Sequence, residues 1–331
     1  MDILLNVSAS AKIIEKIVIS GSKSESNRLL ILQQLFPEIS IDNLSDSDDS
    51  KHLQQALSTK ASFIDIGHAG TAMRFLVGYF SSKQNSEVIL TGSERMQQRP
   101  IGVLVEALRD LGADISYVEN EGYPPVRIKG KAITKDKVQI NGNVSSQYIS
   151  SLILMGTHLA KGVTIELMGE ITSIPYIKMT LSLLNQLGIS TYFEGNTIQV
   201  LPAKQLQKQT VVVESDWSSA SYFYSVAAFS EVGSEIQLSA YKKESLQGDS
   251  CLAEIYTYFG VETVFDQNTI TLKKVRTSDA GPLTLDLKNA PDIAQTIAVT
   301  CFGLGVACHL TGLHTLKIKE TDRLEALEAE L

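Results

Sequence analysis

A helix–glycine–hairpin pattern recurs three times in this chain and constrains its fold more than any other feature. In each copy an amphipathic helix ends in an apolar residue plus glycine, and two alternating strands around a polar turn follow. The capping glycines are Gly112, Gly188 and Gly260, spaced 76 and 72 residues apart. Such a glycine is typical of a helix that ends in the left-handed region, and the alternation is typical of hairpin strands. Repeats this long are whole supersecondary units.

The segments of each copy follow the same order. The predicted helices end at residues 111, 187 and 259, and the predicted hairpin strands are 113–118 with 126–128, 189–193 with 197–200, and 261–265 with 269–272. Helix-to-strand junctions of this kind are common in α/β proteins, so a single copy has a chance explanation. Three copies in register favour a true repeat.

The repeat also predicts an end that the sequence does not reach. A fourth capping glycine is expected at about position 335, whereas the sequence stops at Leu331. Segment 322–331 is predicted to be the corresponding helix. We therefore expect a C-terminal portion of about one repeat or less to be lacking; a natural end with a frayed terminal helix is the alternative.

Composition indicates a globular protein of two domains. The chain has 331 residues, of which 44% are hydrophobic and 20% charged, and this length exceeds what one core usually organises. The longest apolar run, 297–310, is short for a membrane span and contains glycines and a histidine. It is interpreted as a buried helix that leads into a strand. No signal peptide is expected, because no long apolar stretch follows Met1.

Charge and cysteine content narrow the function classes. The net charge of −8 argues against nucleic acid as a partner, but small anions need only a locally positive cleft. The three cysteines form no CxxC pair, which favours a reducing cytoplasm over a disulfide framework. The histidines show no HxxxH spacing, so no metal site is expected.

The clearest candidate site is the segment 21–28, GSKSESNR. A strand is predicted to end at Ser20, Gly21 to make the turn, and a helix to open around Ser24. Backbone N–H groups at a helix start favour an anion, and Lys23 and Arg28 add positive charge. The plainer alternative is a capping serine beside a solvated lysine and arginine.

Five further helix starts carry polar, basic or glycine residues. They lie at 65–76, 98–102, 141–148, 173–176 and 215–222. In the second of these, Pro100 is predicted at the first helical position with Arg99 just outside it. Serines cap helices in most proteins, so each helix start is weak evidence for a site when taken alone. In a repeat fold, however, all of these helix starts would converge at one face.

The last third of the chain adds acidic groups. Asp292 follows Asn289-Ala290-Pro291 and is predicted at a helix N-cap. Segment 317–323 crowds charged and hydroxyl groups around another helix start. Capping alone, or a solvated charged face, is the alternative interpretation of both.

Together these segments resemble the 5-enolpyruvylshikimate-3-phosphate (EPSP) synthase family, from about residue 17 to the end of the chain. The matching pieces are GSKSESNR, GHAGTAMR, RPIG, SSQ, SIPY, DWSSASY, APDIA and KIKETDR. The first two and the last are specific, whereas SSQ and SIPY are informative only through their order.

The resemblance implies an α/β (α+β) fold of two domains. In the enolpyruvyl-transferase fold each domain consists of three βαβαββ units around a pseudo-threefold axis. Residues 21–214 would form the first domain. Residues 1–20 and 215–331 would form the second, which is expected to be incomplete.

The resemblance also implies a reaction. Members of the family transfer the enolpyruvyl group of phosphoenolpyruvate to the 5-hydroxyl of shikimate 3-phosphate and release phosphate, a step of the shikimate pathway towards chorismate and the aromatic amino acids. No metal or organic cofactor is implied. The expected partners are these two small molecules, with no nucleic acid and no membrane, for a cytoplasmic monomer.

Site residues follow from the resemblance position by position. The residues expected to bind shikimate 3-phosphate are Ser24, Arg28, Ser145, Ser146, Gln147, Ser173, Tyr176, Thr315 and Lys319. Those expected to bind phosphoenolpyruvate are Lys23, Gly70, Arg99 and Arg323. Thr71, Arg74 and Asp292 are further expected substrate-binding residues. Asp292 is expected to act as the base on the 5-hydroxyl and Glu320 as the acid, with Lys23 stabilising charge.

Some positions depart from the family pattern. His68 stands where many members have Asn, Phe75 where many have Pro, and Thr315 where many have Asn. The first two leave inhibitor sensitivity open, and the third leaves the 3-phosphate contact open. A later Asp-His-Arg segment and a final Lys of the family have no counterpart, so loss of activity in this chain stays an open alternative.

Two other functions stay open at this point. One is enolpyruvyl transfer to a UDP-sugar, but the family that does this carries Lys-Asn in place of Lys23-Ser24 and a reactive cysteine in its first domain. All cysteines here lie after residue 250. The other is a non-catalytic fragment that binds shikimate 3-phosphate.

Overall fold

The computed structural model describes residues 12–172, 174–278, 281–319 and 321–331. They divide into two compact units. The larger unit comprises residues 20–213 and 318–321, and the smaller comprises residues 12–19, 214–317 and 322–331, omitting undescribed positions. The sequence-based domain boundaries at 20/21 and 214/215 stay a prediction.

Sixteen strands are present in the described residues. They are β1 (Ile14–Ile17), β2 (Ile39–Asp42), β3 (Phe63–Asp65), β4 (Glu87–Thr91), β5 (Asp114–Tyr117), β6 (Val126–Lys129), β7 (Lys137–Asn141), β8 (Val163–Met168), β9 (Thr191–Glu194), β10 (Thr197–Val200), β11 (Gln209–Val212), β12 (Glu235–Ser239), β13 (Val261–Asp266), β14 (Thr269–Lys274), β15 (Leu283–Asp286) and β16 (Cys308–Thr311).

Eleven α-helices accompany them in the same described ranges. They are α1 (Lys23–Leu35), α2 (Asp48–Ser58), α3 (Gly70–Ser82), α4 (Glu94–Gln97), α5 (Gly102–Leu111), α6 (Ser146–Gly156), α7 (Ile174–Gln186), α8 (Trp217–Phe229), α9 (Leu252–Ile255), α10 (Ala294–Gly303) and α11 (Arg323–Glu330). Short 3-10 turns occupy Gly248–Cys251, Tyr256–Phe259, Pro291–Ile293 and His314–Ile318.

Three four-stranded sheets share one strand order, which confirms the predicted repeat. The orders are β3-β4-β6-β5, β7-β8-β10-β9 and β1-β12-β14-β13. In each sheet the first two strands are parallel, and the last two form an antiparallel hairpin whose second strand pairs with the sheet's second strand. The first two sheets belong to the larger unit and the third to the smaller.

The three glycines at the repeat junctions adopt the predicted left-handed conformation. The φ angles of Gly112, Gly188 and Gly260 are 108°, 86° and 76°. Such angles are strained for any residue with a Cβ atom. Each glycine ends its helix and lets the chain turn directly into the hairpin. The third copy differs in detail, because the helix predicted up to residue 259 is a short α9 followed by a 3-10 turn.

Two parallel strand pairs complete the described sheets. β2 pairs with β11 in the larger unit, and β15 pairs with β16 in the smaller. The order β15–α10–β16–α11 reproduces the first four elements of a repeat.

Each unit has its own apolar core. In the larger unit all thirteen residues of α3 are buried between other elements. In the smaller unit Trp217 is fully buried and stacks on Tyr224, while Tyr241 meets its ring edge-on. Among the described residues, every helix is too short or too polar to cross a membrane.

Two local predictions were wrong. Helix α5 begins at Gly102, not at Pro100, because the N–H groups of Ile101 and Gly102 both donate to the carbonyl of Gly122. Asp292 is not an N-cap; it lies inside the 3-10 turn Pro291–Ile293 and makes an ion pair with Arg323 instead.

Candidate active site

The first predicted site lies on the opening turns of α1. The helix begins at Lys23, one residue before the predicted start, with Ser22 at its N-cap. A Cβ atom at position 21 would collide with the carbonyl oxygen of Asn43, so only glycine permits this close approach of two backbone segments. This approach fixes where α1 starts and leaves Lys23 and Ser24 half-buried.

Arg28 lies one turn further along and faces the interior of the larger unit. Its Nε donates to Oγ1 of Thr180 at 2.7 Å and its Nη2 to Oγ of Ser150 at 3.0 Å. Its Nη1 donates to the carbonyl of Ser24 at 2.7 Å. The planar fork therefore joins α1 to α6 and α7.

Burial changes the acidity of Arg28 but not its charge at neutral pH. The residue is 3% exposed, and desolvation lowers the pKa of its guanidinium to about 10, with Tyr176 and Glu25 opposing the shift. The group stays protonated, so it places a positive charge beneath the Ser24 backbone. An anion at the α1 start would be stabilised by this charge, because a partly buried site screens it weakly.

The second predicted site is the start of α3. The guanidinium of Arg99 lies against Gly70, so that a Cβ at position 70 would be 2.6 Å from Nη1 and 2.7 Å from Nη2. Arg74 donates from Nη1 to the carbonyl of Gly70 at 3.2 Å and from Nη2 to that of Pro100 at 3.1 Å. Two guanidinium groups therefore flank one helix start.

The pKa of Arg74 reflects this crowding. Burial and, to a smaller extent, the positive charge of Arg99 lower this pKa to about 10, while Tyr148 and Asp49 act in the opposite direction. Two like charges held together in a buried place favour binding of an anion, which would relieve their repulsion.

Asp49 was not among the predicted site residues, although it lies at the same helix start. Its carboxylate accepts a hydrogen bond from Nδ2 of Asn27 at 2.7 Å, and from the backbone N–H groups of Thr71 and Ala72, both at 3.3 Å. Part of the α3 N-terminus is therefore satisfied by the protein itself. The acidic run 46–49 was the signal in the sequence, but nothing local indicated that it would reach α3.

The third site is the start of α6, which lies beside α3. Ser145 is the N-cap, and its side chain accepts the N–H of Gln147 at 3.4 Å. Nε2 of Gln147 donates to Oγ1 of Thr71 at 3.2 Å, so these two predicted residues lie together. Ser146 is buried in the first turn.

The fourth site is the start of α7, where Ser173 lies outside the described residues. The carbonyl of Tyr176 accepts hydrogen bonds from Arg28 Nη2 at 3.4 Å and from Thr180 Oγ1 at 2.9 Å. Helices α1 and α6 each pack against α3 and α7, and also against each other. The four starts therefore lie within one bundle of the larger unit.

Hydroxyl groups inside this bundle were missed by the sequence analysis. Oγ of Ser150 lies 2.9 Å from Oγ1 of Thr180, and both oxygens accept hydrogen bonds from Arg28. Oγ of Ser151 donates to the carbonyl of Arg74 at 2.7 Å. Each occupies the interior of a helix, and a serine or threonine there has no sequence signature that separates it from an ordinary buried hydroxyl.

In the smaller unit, Asp292 and Arg323 form an ion pair. Oδ1 of Asp292 lies 2.9 Å from Nη1 of Arg323, and the two side chains are 24% and 26% exposed. Arg323 is the first residue of α11, whose N-cap Asp322 accepts the N–H groups of Leu324 and Glu325. The ion pair thus orients the carboxylate at the start of that helix.

The remaining predicted residues lie on the segment between β16 and α11. Thr315 is half-buried in the 3-10 turn His314–Ile318. Lys319 belongs to the larger unit, and its carbonyl accepts Nη2 of Arg95 at 3.4 Å. Glu320 lies outside the described residues.

Comparison with known proteins gives one consistent family. The family profile described as EPSP synthase (3-phosphoshikimate 1-carboxyvinyltransferase) matches residues 52–331. A curated 3-phosphoshikimate 1-carboxyvinyltransferase of Bacteroides fragilis is 47% identical over 327 residues, covering 98% of this chain and 79% of that protein. One of Histophilus somni is 35% identical over 359 residues, covering 99% and 82%.

A solved structure shows the same fold. An EPSP synthase from Acinetobacter baumannii superimposes with a TM-score of 0.74 at 22% identity, over 97% of this chain and 78% of that chain. The predicted two-domain α/β architecture is therefore that of a solved protein.

Proposed function

This chain belongs to the EPSP synthase family, and we propose that it transfers the enolpyruvyl group of phosphoenolpyruvate to the 5-hydroxyl of shikimate 3-phosphate, releasing phosphate. It is a transferase of the shikimate pathway, which leads to chorismate and the aromatic amino acids. The names of the curated relatives favour this substrate over a UDP-sugar.

The observation that carries the proposal is the guanidinium pair at the start of α3. Arg99 lies against Gly70, and Arg74 donates to the carbonyl of the same glycine. Phosphoenolpyruvate carries a carboxylate and a phosphate, and arginine forks match both groups. The proposed phosphoenolpyruvate residues are Lys23, Gly70, Thr71, Arg74, Arg99 and Arg323.

Shikimate 3-phosphate is assigned to the neighbouring helix starts. The proposed residues are Ser24, Arg28, Ser145, Ser146, Gln147, Ser173, Tyr176, Thr315 and Lys319. The hydrogen bonds of Arg28 to Thr180 and Ser150 support a role as a fixed charge behind Ser24. The contact between Gln147 and Thr71 supports adjacent subsites for the two substrates.

The chemistry requires an acid and a base. The methylene carbon of phosphoenolpyruvate takes up a proton while the 5-hydroxyl attacks the adjacent carbon and loses its own proton. The resulting methyl group then loses a proton as the C–O bond to phosphate breaks, which restores the double bond and releases phosphate. We assign the base to Asp292 and the acid to Glu320, with Lys23 stabilising charge. As Asp292 is ion-paired with Arg323 at 2.9 Å, binding of phosphoenolpyruvate by Arg323 would compete with this pair and release the carboxylate for the hydroxyl.

Localisation, oligomeric state and partners are part of the proposal. The protein is assigned to the cytoplasm as a monomer that acts on two small molecules, with neither nucleic acid nor membrane as a partner. Gel filtration with light scattering measures the molar mass in solution and so tests whether the protein is a monomer.

The activity is tested by measuring the phosphate that the full chain releases from phosphoenolpyruvate. Release is expected only when both phosphoenolpyruvate and shikimate 3-phosphate are present, and mass spectrometry should detect the enolpyruvyl product. If calorimetry shows that shikimate 3-phosphate binds while no product forms, the chain is a non-catalytic binding protein and the transferase proposal is wrong.

A further inference from the structure

Asp49 lies between two helices that the proposed function assigns to different substrates. It belongs to the first turn of α2, and its Oδ1 accepts a hydrogen bond from Nδ2 of Asn27 in α1 at 2.7 Å. The same carboxylate accepts the backbone N–H groups of Thr71 and Ala72 in α3, both at 3.3 Å. One side chain therefore joins α1, which carries Arg28 of the proposed shikimate 3-phosphate site, to the start of α3, the proposed phosphoenolpyruvate site.

The α1 end of this link is held in one orientation. Asn27 is 0% exposed, and its Oδ1 accepts a hydrogen bond from Oγ of Ser50 at 2.7 Å. An asparagine whose oxygen faces a hydroxyl donor must present its NH₂ group to the other partner, which is the carboxylate of Asp49. Ser50 and Asp49 are neighbours in α2, so two short hydrogen bonds fix α2 against α1 at a buried position.

The α3 end of the link replaces a helix cap. The first N–H groups of an α-helix have no partner within the helix. The N-cap of α3 is Ala69, whose side chain offers no acceptor. Thr71 and Ala72 are the second and third residues of this helix, and their N–H groups are satisfied by Asp49 from α2. The position of the α3 start therefore depends on α2.

The charge of Asp49 also acts on the arginines of this helix start. Burial lowers the pKa of Arg74 to about 10, and Asp49 is one of the groups that oppose the shift, whereas Arg99 adds to it. A carboxylate at this place offsets part of the repulsion between the two guanidinium groups before an anion arrives. The helix start is thus charge-balanced and held in place in advance, which is preorganisation.

We infer that Asp49 is a positioning residue: through Asn27 it fixes the start of α3, with its proposed phosphoenolpyruvate site, relative to α1 and its proposed shikimate 3-phosphate site. The identity of the two ligands rests on the proposed function, whereas the link between the helices does not. The reaction joins an atom of one substrate to an atom of the other, and a misplacement of about 1 Å has large kinetic effects.

The first test is Asp49→Asn. The amide replaces one acceptor oxygen with a donor group, so a single acceptor would face three N–H donors. Steady-state kinetics should show KM for phosphoenolpyruvate rising at least about tenfold, and KM for shikimate 3-phosphate changing by less than about twofold. The matched control is Asp48→Asn, which removes the same charge from the same turn of α2 at an exposed residue and should leave both KM values unchanged.

A second variant cuts the other half of the link. Asn27→Ala removes the hydrogen bond between α1 and Asp49 and leaves the two N–H contacts of α3 in place. KM for phosphoenolpyruvate should rise here as well. The double variant with Asp49→Asn should be little worse than Asp49→Asn alone, because both changes break one link. Circular dichroism checks that each variant is folded.

Hydrogen exchange tests the link without any turnover. The amides of Thr71 and Ala72, followed by NMR in the full chain, should exchange at least about tenfold faster in Asp49→Asn, because they lose their acceptor. They should also exchange faster in Asn27→Ala, although both amides donate to Asp49 and not to Asn27. Asp48→Asn should leave them unchanged. If the native chain shows no turnover, the proposed function fails, while this measurement still decides the role of Asp49.

Three results would overturn the inference. One is unchanged exchange of the Thr71 and Ala72 amides in both Asp49→Asn and Asn27→Ala. Another is an equal effect of Asp48→Asn and Asp49→Asn on KM for phosphoenolpyruvate, since net charge alone would then explain it. The third is a parallel change of kcat and both KM values in folded Asp49→Asn, which would make the residue a support of the whole unit.

Discussion

The guanidinium of Arg99 occupies the space that a side chain at Gly70 would need. The distance from an ideal Cβ at position 70 to Nη1 of Arg99 is 2.6 Å, well below any normal contact. Because Gly70 has no side chain, the guanidinium of Arg99 can lie at the start of α3.

Replacing Gly70 with alanine should displace Arg99 and weaken phosphoenolpyruvate binding. We expect KM for phosphoenolpyruvate to rise at least about tenfold, because a misplacement of about 1 Å in a positioning group has large kinetic effects. Steady-state kinetics with each substrate varied in turn measures this. The matched control is Gly281→Ala, where a Cβ would meet nothing within 4 Å; equal KM values for the two variants would contradict the assignment.

Truncating Arg28 should destabilise the larger unit. Arg28→Ala removes the hydrogen bonds to Thr180, Ser150 and the Ser24 carbonyl, and a cost of about 2–4 kcal/mol is expected for losing a buried, hydrogen-bonded charge. Hydrogen exchange of α1, α6 and α7 locates the effect. Arg127→Ala is the control, since its ion pair with Glu87 is largely exposed and should contribute below about 1 kcal/mol.

Glu214 should be needed for the stability of the smaller unit. Its carboxylate accepts Nε1–H of Trp217 at 2.8 Å, the N–H of Lys242 at 3.0 Å and the hydroxyl of Ser245 at 2.8 Å. Glu214→Ala leaves the buried indole N–H and two partly buried donors without their acceptor, at a cost of about 2–4 kcal/mol. Because Trp217 is the single tryptophan, its emission during urea unfolding reports this unit specifically.

The control for Glu214 is Glu231→Ala, a surface glutamate of the same unit. It should change the free energy of unfolding by less than about 0.5 kcal/mol. Equal midpoints for the two variants would show that the Glu214 network contributes nothing to stability.

Asp292→Asn should lower kcat while the protein stays folded. Loss of a positioned base is expected to reduce kcat by about 10²–10⁴-fold with a smaller change in KM for shikimate 3-phosphate. Asp266→Asn, at the exposed last residue of β13, should retain full activity. If Asp292→Asn instead changes KM alone, the carboxylate binds substrate through its contact with Arg323 and is not the base.

The repeat could be predicted because it depends on local rules. Gly112, Gly188 and Gly260 end helices in a conformation that glycine adopts without strain, and alternating residues after each mark a hairpin. These signals lie within a few residues of one another, so the chain alone determined three equivalent sheets. The motifs of segments 21–28 and 67–74 likewise identified the family.

The tertiary structure decided how the charged groups are used. Arg28 is predicted to add charge at an anion site, but only the packing of α6 and α7 beside α1 gives its guanidinium the acceptors Thr180 and Ser150, which lie far along the chain. Asp49 reaches the start of α3, and Asp292 meets Arg323 in place of capping a helix. These contacts depend on how separate helices pack, so they cannot be predicted from the spacing of residues along the chain.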